Sequence, residues 1–289
     1  MSGRPVVQRI ATTQCCGVTK SGRRCSITST SAIIDALSGK LVAEPLKRGG
    51  NNCLCHAAYF CTRGVAVQDA VIVFLDLETS GLSIITDHIV EIGAVDEHGV
   101  AFSTVVKPPT MPSGHAVHGI EHSELQHCPV FATAFARLVR FLDTLAENAV
   151  TDDESSADEV AALPSIKTEL PEIVVVAHNG IKFDFAMLLS ECCRSALPLQ
   201  QLARWKYVDT LEVAKAAGMF ECVKLQCMHR VASGRGELRA HRALDDAIAL
   251  QGVVKYVAES LGISILSLLQ RFTCEVDLDA SVAHLSCTL

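Results

Sequence analysis

The stretch VIVFLDLETSGL, Val71–Leu82, constrains this chain more than any other. Val71, Ile72, Val73, Phe74 and Leu75 form an unbroken apolar run that suits a strand covered on both faces, in the middle of a sheet. Asp76 and Glu78 follow, separated by one residue. Strand side chains alternate faces, so both carboxylates emerge on the same side, close enough to share a cation. Buried charge is costly unless it is paired or metal-bound. The stretch therefore predicts the start of a metal-dependent active site, with Thr79, Ser80 and Gly81 as the turn behind it.

A chain of 289 residues has room for one large domain and a small one. Hydrophobic residues make up 49% and aromatics only 5%, so the core is expected to be mainly aliphatic. No apolar run reaches the ~18 residues of a membrane span, and no secretory signal opens the chain. No membrane is expected as a partner, and a reducing intracellular compartment, cytoplasm or nucleus, is the expected location. The basic, Ser/Thr-rich start resembles a mitochondrial presequence only faintly, which disfavours that destination.

Net charge is −7, but it is unevenly spread. Residues 1–65 carry Arg4, Arg9, Lys20, Arg23, Arg24, Lys40, Lys47, Arg48 and Arg63 against only Asp35 and Glu44. A basic module beside an acidic remainder fits a nucleic-acid partner at the amino end. The same region holds Cys15, Cys16, Cys25, Cys53, Cys55 and Cys61 of the 13 cysteines. Without a secretion signal, clustered cysteines read as metal ligands rather than disulfides. The segments CCGVTKSGRRC and NNCLCHAAYF offer two separated ligand pairs, an economical way to give Zn²⁺ four tetrahedral ligands. Their form, Cys-x-Gly-x-Thr-Lys-x-Gly-x-x-Cys followed by Cys-x-x-His, resembles a small zinc module attached to diverse proteins. That resemblance selects Cys15, Cys25, Cys53 and His56, with Cys16, Cys55 and Cys61 as thiols that could substitute. Four protein ligands leave no open position, so one such Zn²⁺ would be structural.

After a join at 62–70, the strand of the opening stretch leads into a second at Ile89–Asp96 and a third at Val100–Lys107, an antiparallel meander ended by Pro108, Pro109 and Pro112. Phe131, Phe135, Leu138, Leu142 and Leu145 recur at helical spacing and predict an amphipathic helix of roughly 16 residues. Residues 151–170 are acidic and Ser-containing and read as a disordered insertion. Glu172–Ala177 is a further buried strand, after which Asn179 is a natural helix cap. In the helix that follows, Asp184 lies on the core-facing stripe of Met187 and Leu188. Asp209-Thr210-Leu211 starts a short helix, and HRALDDA opens the last strong one, running to about residue 260. In that helix Asp246 leads the apolar stripe Leu250, Val253, Val257, while Asp245 is turned by about 100° toward solvent, so periodicity selects Asp246 as the core-facing acid. His241 falls at or before the first turn. Residues 261–289 form a carboxy-terminal tail whose ISILSLL segment could pack on the domain.

Four acids converging on one pocket would repel one another unless two divalent cations sat among them, and hard oxygen ligands favour Mg²⁺ or Mn²⁺. A pair of such ions suits in-line displacement at phosphorus, and a histidine that titrates near neutrality can take the proton from the attacking water.

FLDLETSGL, AHNGIKFDFAML and HRALDDA together resemble the three motifs of the DEDDh 3′–5′ exonucleases, a DnaQ-like family. It includes the proofreading subunit of bacterial DNA polymerase III, ribonuclease T and the three-prime repair exonucleases. The resemblance covers about residues 70–260. It implies an α/β, ribonuclease H-like fold, a mixed five-stranded sheet flanked by helices, here preceded by the zinc-binding segment at 1–65. By position, the family's metal ligands fall on Asp76, Glu78, Asp184 and Asp246, and its general base on His241. It implies that Thr79 and Leu82 hold the 3′-terminal nucleotide, and that His118 and Ile120 of AVHGI form a second contact. Asn179 is counted with these substrate-facing residues. The implied activity is hydrolysis of single-stranded DNA or RNA from the 3′ end, releasing nucleoside 5′-monophosphates. A non-catalytic binding module on the same fold is the alternative, and a missing acid or base would have favoured it.

Overall fold

The computed structural model describes residues 67, 69–110, 119–155, 170–234 and 242–276, together with the backbone of 12–14, 28–30 and 60–62. Cys15, Cys25, Cys53 and His56, expected to hold zinc, lie outside the described residues, as do His118 and His241. At the amino end β1 (Thr12–Gln14) and β2 (Thr28–Thr30) pair antiparallel, Thr12 opposite Thr30. The next strand, β3 (Phe60–Thr62), belongs to the main sheet.

That sheet is built around β4 (Ala70–Thr79), the strand of the opening stretch. β4 pairs antiparallel with β5 (Ile89–Asp96), which pairs antiparallel with β6 (Ala101–Val105), giving the expected meander. A short helix α1 (His122–Leu125) and the long α2 (Phe131–Ser155) follow. Then β7 (Glu172–Ala177) returns to lie parallel to β4 on its other side. Val71–Leu75 and Val174–Ala177 are apolar at consecutive positions because strands in the middle of the sheet are covered on both faces.

α3 (Asp184–Arg194) and α4 (Gln200–Ala203) lead to β8 (Lys206–Asp209), parallel to β7. These five strands, in the order β8-β7-β4-β5-β6, form the mixed five-stranded sheet that the motif resemblance implies. After α5 (Thr210–Ala217), α6 (Leu225–Ser233), α7 (Ala243–Leu261) and α8 (Ile265–Leu269), the chain adds β9 (Cys274–Val276). β9 pairs with β8 at Tyr207 opposite Cys274, and β3 pairs antiparallel with β9. The sheet thus has seven strands, not five. Both additions come from stretches expected to lie outside the domain, the amino-terminal module and the carboxy-terminal tail. A single ladder pair holds β9 weakly, so side chains carry much of the attachment. Lys206 Nζ lies 2.6 Å from Glu275 Oε1 and 3.4 Å from Glu172 Oε1, and the buried Cys274 Sγ donates to the Tyr207 carbonyl.

Helices cover both faces. On one, Phe131, Phe135, Leu138, Leu142 and Leu145 of α2 and Met187 and Leu188 of α3 pack on Val73, Leu75 and Leu77. On the other, Leu250, Val254 and Val257 of α7 and Leu268 and Leu269 of α8 pack on Ile72 and Phe74. The ISILSLL segment is therefore part of the core.

The structure corrects several expectations. α2 runs 25 residues, so 151–155 are helical and not part of a disordered insertion; no Gly or Pro interrupts the stretch 131–155. Asn179 does not cap a helix. It adopts a left-handed backbone (φ 59°), and α3 begins five residues later. Asp209 does cap α5, accepting from the Leu211 amide, but it also ends a strand that the four residues KYVD are too short to signal.

Candidate active site

The site lies where β4 ends. Asp76 and Glu78 occupy the face of β4 that Ile72 and Phe74 also use, the face covered by α7. Immediately after Glu78 the β4–β5 register shifts, so that Thr79 pairs with Ile89. Irregularities of this kind re-aim a strand's side chains next to active sites. From α7 the Asp246 carboxylate completes a group in which one ligand atom each from Asp76, Glu78 and Asp246 all lie within 4.8 Å of one another. Asp245 points to solvent.

Asp184 opens α3 and is buried. Burial pushes its carboxyl up to about 7, with Asp209 and Glu78 adding to the rise and its own amide and that of Leu77 opposing it. Asp76 is held well above the usual carboxylate range by burial first, then by the charges of Asp184, Asp246, Glu78 and Glu91. Glu78 rises to about 7 through burial and the charges of Asp246 and Glu91, while Arg242 pulls it down. Asp76 is therefore within electrostatic reach of the other three expected acids, and Glu78 of Asp184 and Asp246. Hard carboxylate oxygens, desolvated and gathered in this way, are a donor set that suits a divalent cation.

These shifts carry a stability consequence. A carboxyl whose folded pKa lies above its unfolded value stabilises the fold fully below the unfolded pKa, near 4, and loses that contribution as pH rises through the folded value, here about 7. In EDTA the melting temperature is expected to lose this contribution between about pH 4 and 7, and Mn²⁺ should raise it more at pH 8 than at pH 5. Thermal melts with and without Mn²⁺ across these pH values check the sign; an equal Mn²⁺ effect at pH 5 and pH 8 would contradict it.

The loop after Glu78 is tightly held. Thr79 Oγ1 donates to the Gly81 carbonyl at 2.7 Å, and the Ser80 amide to the His88 carbonyl at 2.8 Å. Arg194, from the end of α3, donates to the carbonyls of Ile84, Ile85 and Asp87 and to Glu191 Oε1. The buried Glu191 carboxylate also lies 2.7 Å from His88 Nδ1 and accepts from the Ile89 amide. Against that braced frame Leu82 is 85% exposed, a large apolar side chain standing beside a cluster of acids.

The turn between β7 and α3 is organised by Asp209, whose carboxylate accepts from the amides of Asn179 at 2.8 Å and Ile181 at 3.3 Å. Ile120, expected at the substrate, is instead buried against Val90 and Leu125, which gives its side chain a core role.

Sequence reasoning missed Glu91, Gly93 and Arg242. Glu91 is a buried acid directly opposite Glu78 in the β4–β5 ladder. Its carboxylate receives the Arg242 guanidinium, Nη2 at 2.7 Å and Nε at 3.1 Å, and the Ala243 amide at 3.1 Å. Gly93, opposite Asp76, is the seat of α7, because a Cβ there would meet the Ala243 carbonyl carbon and the Leu244 nitrogen, each at 2.2 Å. Both had signals in IVEIGAVD, a lone acid in an apolar run and a glycine inside a strand pattern.

No protein-family model matches the chain. Among curated proteins it is similar to the exonuclease DPD1, chloroplastic/mitochondrial, of Arabidopsis thaliana, 26% identical over 224 residues, 73% of this chain and 64% of that protein. It is also similar to the PolC-type DNA polymerase III of Thermotoga maritima, 29% identical over 223 residues, 73% of this chain and 14% of that protein. The chain thus spans less than two thirds of the length of either relative. Among solved structures, the zinc-bound E. coli ExoI–ssDNA complex is 19% identical over 66% of this chain and 41% of its own, with a TM-score of 0.49. A 3′-exonuclease described as recognising the 3′ end of a histone mRNA stem-loop is 13% identical over 68% of this chain and 66% of its own, also at 0.49. The resemblance to exonucleases that the three motifs carry is borne out by the relative named as one.

Proposed function

We propose that this chain is a DEDDh-type 3′–5′ exonuclease that hydrolyses phosphodiester bonds at the 3′ ends of single-stranded nucleic acid. The observation that carries the reading is the convergence of Asp76, Glu78 and Asp246 within 4.8 Å at the end of a buried strand, with Asp184 buried beside them. Similarity to a protein named as an exonuclease supports it.

Asp76, Glu78, Asp184 and Asp246 would hold two Mg²⁺ or Mn²⁺ ions. Bound there, such ions supply charge neutralisation, a more acidic water and stabilisation of the leaving 3′ oxygen. His241, immediately before the Arg242 that Glu91 anchors, takes the proton from the attacking water. The backbone at Thr79 grips the 3′-terminal nucleotide while the exposed Leu82 wedges against its base, and the Arg194 bonds keep that loop from yielding. In this reading Asn179 and His118 are further substrate contacts. The product is a nucleoside 5′-monophosphate.

The amino-terminal residues Cys15, Cys25, Cys53 and His56 form a structural Zn²⁺ site in a basic segment that docks nucleic acid. The spacing of the two ligand pairs, CCGVTKSGRRC and NNCLCHAAYF, is what supports this. The plant relative is named for the chloroplast and mitochondrion, at odds with the expectation that disfavoured a mitochondrial destination. Among the described residues no single helix is long and apolar enough to cross a membrane.

A time course on matched 3′-labelled and 5′-labelled DNA and RNA oligonucleotides, with Mg²⁺, Mn²⁺ or EDTA, tests the activity. Shortening from the 3′ end that EDTA stops is the expected result. Binding without cleavage under every cation would make the chain a non-catalytic module. His241→Ala is expected to slow cleavage by the ~10²–10⁴-fold of a lost general base, with substrate affinity retained. A full-rate His241→Ala enzyme would remove His241 from the mechanism.

A further inference from the structure

We propose that Glu91 is a positioning residue for the active site, setting the place of Asp246 through Arg242 and Ala243 and thereby the site's affinity for divalent cations. This rests on the exonuclease reading above and adds to it a residue outside the four acids and the histidine.

Glu91 lies on β5, opposite Glu78, with its side chain 1% exposed. Two like charges directly opposite on paired strands repel. A buried ion pair is weak evidence for stability, since well-packed apolar residues of similar volume often serve as well or better. A carboxylate kept at this position is therefore costly in a way that the core does not require, and its contacts show what it does instead. Oε1 accepts from Arg242 Nη2 at 2.7 Å and Nε at 3.1 Å, and Oε2 from Arg242 Nε at 3.1 Å and the Ala243 amide at 3.1 Å. Both partners belong to the entry of α7, where Arg242 occupies the N-cap position and makes no side-chain cap bond of its own to the helix. The Arg242 carbonyl in turn accepts from the Asp246 amide at 3.0 Å.

A continuous path thus runs from a strand of the sheet to a metal-ligating acid. Glu91 grips Arg242 by its guanidinium and Ala243 by its amide, and the first helical hydrogen bond passes that position on to Asp246. Asp76 and Glu78 sit on the neighbouring strand, so the same ladder that places Glu91 against Glu78 sets the distance across which Asp246 meets them. Gly93, two residues on, leaves room for the start of the helix, which a Cβ there would meet at 2.2 Å. The planar guanidinium matters here, because its fork fixes orientation as well as charge, which the point charge of lysine does not.

The test uses the full chain, with Mn²⁺ binding read by electron paramagnetic resonance and cleavage of a single-stranded oligonucleotide measured in parallel. Glu91→Gln keeps the volume and one acceptor for the Ala243 amide but loses the charge-assisted fork. Its Mn²⁺ dissociation constant is expected to rise ~10–100-fold, the range for lost outer-shell partners. Its KM for oligonucleotide should stay within about twofold and its kcat should recover at saturating Mn²⁺, a split that general loosening of the fold would not produce. Arg242→Lys, at a side chain that is 48% exposed, should give a smaller loss in the same direction. Unchanged Mn²⁺ affinity in Glu91→Gln, or in Arg242→Lys should the first variant not fold, overturns the positioning role. Failure of the unaltered protein to bind Mn²⁺ or to cleave would instead overturn the exonuclease reading on which the role rests.

Discussion

Asp184→Asn is expected to abolish cleavage while leaving the metal-free protein at least as stable as before. The loss follows from the place of Asp184 among the proposed ligands. Metal-centred charge stabilisation supplies several kcal/mol to a transition state, so removing a ligand should cost ~10³-fold or more in rate. The stability result follows from burial. Ionised Asp184 is carried to about 7 by desolvation and by the charges of Asp209 and Glu78, which means that above neutral pH it opposes the fold unless a cation is present. Asparagine removes the charge and keeps an acceptor for the Leu77 amide. In EDTA at pH 8 the variant should therefore melt at or above the temperature of the unaltered protein, and the rise on adding Mn²⁺ should shrink. Oligonucleotide cleavage and thermal melts in EDTA and Mn²⁺ read both effects. Full activity in the purified variant would sink the proposed mechanism, and a large drop in metal-free melting temperature would reassign Asp184 to a structural role.

Gly93→Ala is expected to damage the site from a residue that carries no functional group. Its Cβ would meet the backbone at the start of α7, the Ala243 carbonyl carbon and Leu244 nitrogen at 2.2 Å and the Ala243 oxygen at 2.5 Å. Backbone cannot step aside as a flexible side chain can, so the first turn of α7 has to move off the sheet. Overpacking of this kind costs ~1–3 kcal/mol, and at roughly 2–4 °C per kcal/mol the melting temperature should fall by up to about 12 °C. The catalytic loss should exceed that, because Asp246 sits on the displaced turn and a misplacement of about 1 Å can cost ~10²-fold. Gly252, in the same helix, faces open space, with nothing within 4 Å of where a Cβ would stand. Gly252→Ala should raise stability by up to ~1 kcal/mol through helix propensity and leave cleavage unchanged. Equal activity in the Gly93 and Gly252 variants would show that the seat of α7 does not govern the site.

Much of the architecture was legible in the sequence because its signals are local. The doubly covered strands at 71–75 and 172–177, the meander at 89–107 and the stripes of α2 and α7 all follow from runs and periods of apolar residues. The choice of Asp246 over Asp245 followed from the same periodicity, and the structure puts Asp245 in solvent. What escaped was short or non-local. β8 is four residues long, and β3 and β9 are three each, below the length at which a pattern can be read. β8 is placed by β7, some 32 residues earlier, and β3 and β9 by partners more than 60 residues away, Tyr207 against Cys274 and Thr62 against Cys274. The left-handed turn at Asn179 likewise depends on Asp209, 30 residues on.

For the site, the kind of donor offered was already legible in the residues alone. Residue type decides whether oxygen, nitrogen or sulfur is offered to a cation, and alternation along a strand decides that Asp76 and Glu78 share a face. How those acids are brought together and held is visible only once the chain is folded. Glu91 reads as an odd acid in a strand, Gly93 as a weakness in it and Arg242 as a surface charge, until β5 is laid against the start of α7. There Glu91 binds, Gly93 makes room and Asp246 arrives within 4.8 Å of the two acids on β4. The physical reason is that a donor type is a property of one residue, whereas a distance between donors 170 residues apart in the chain is a property of the packing that closes it.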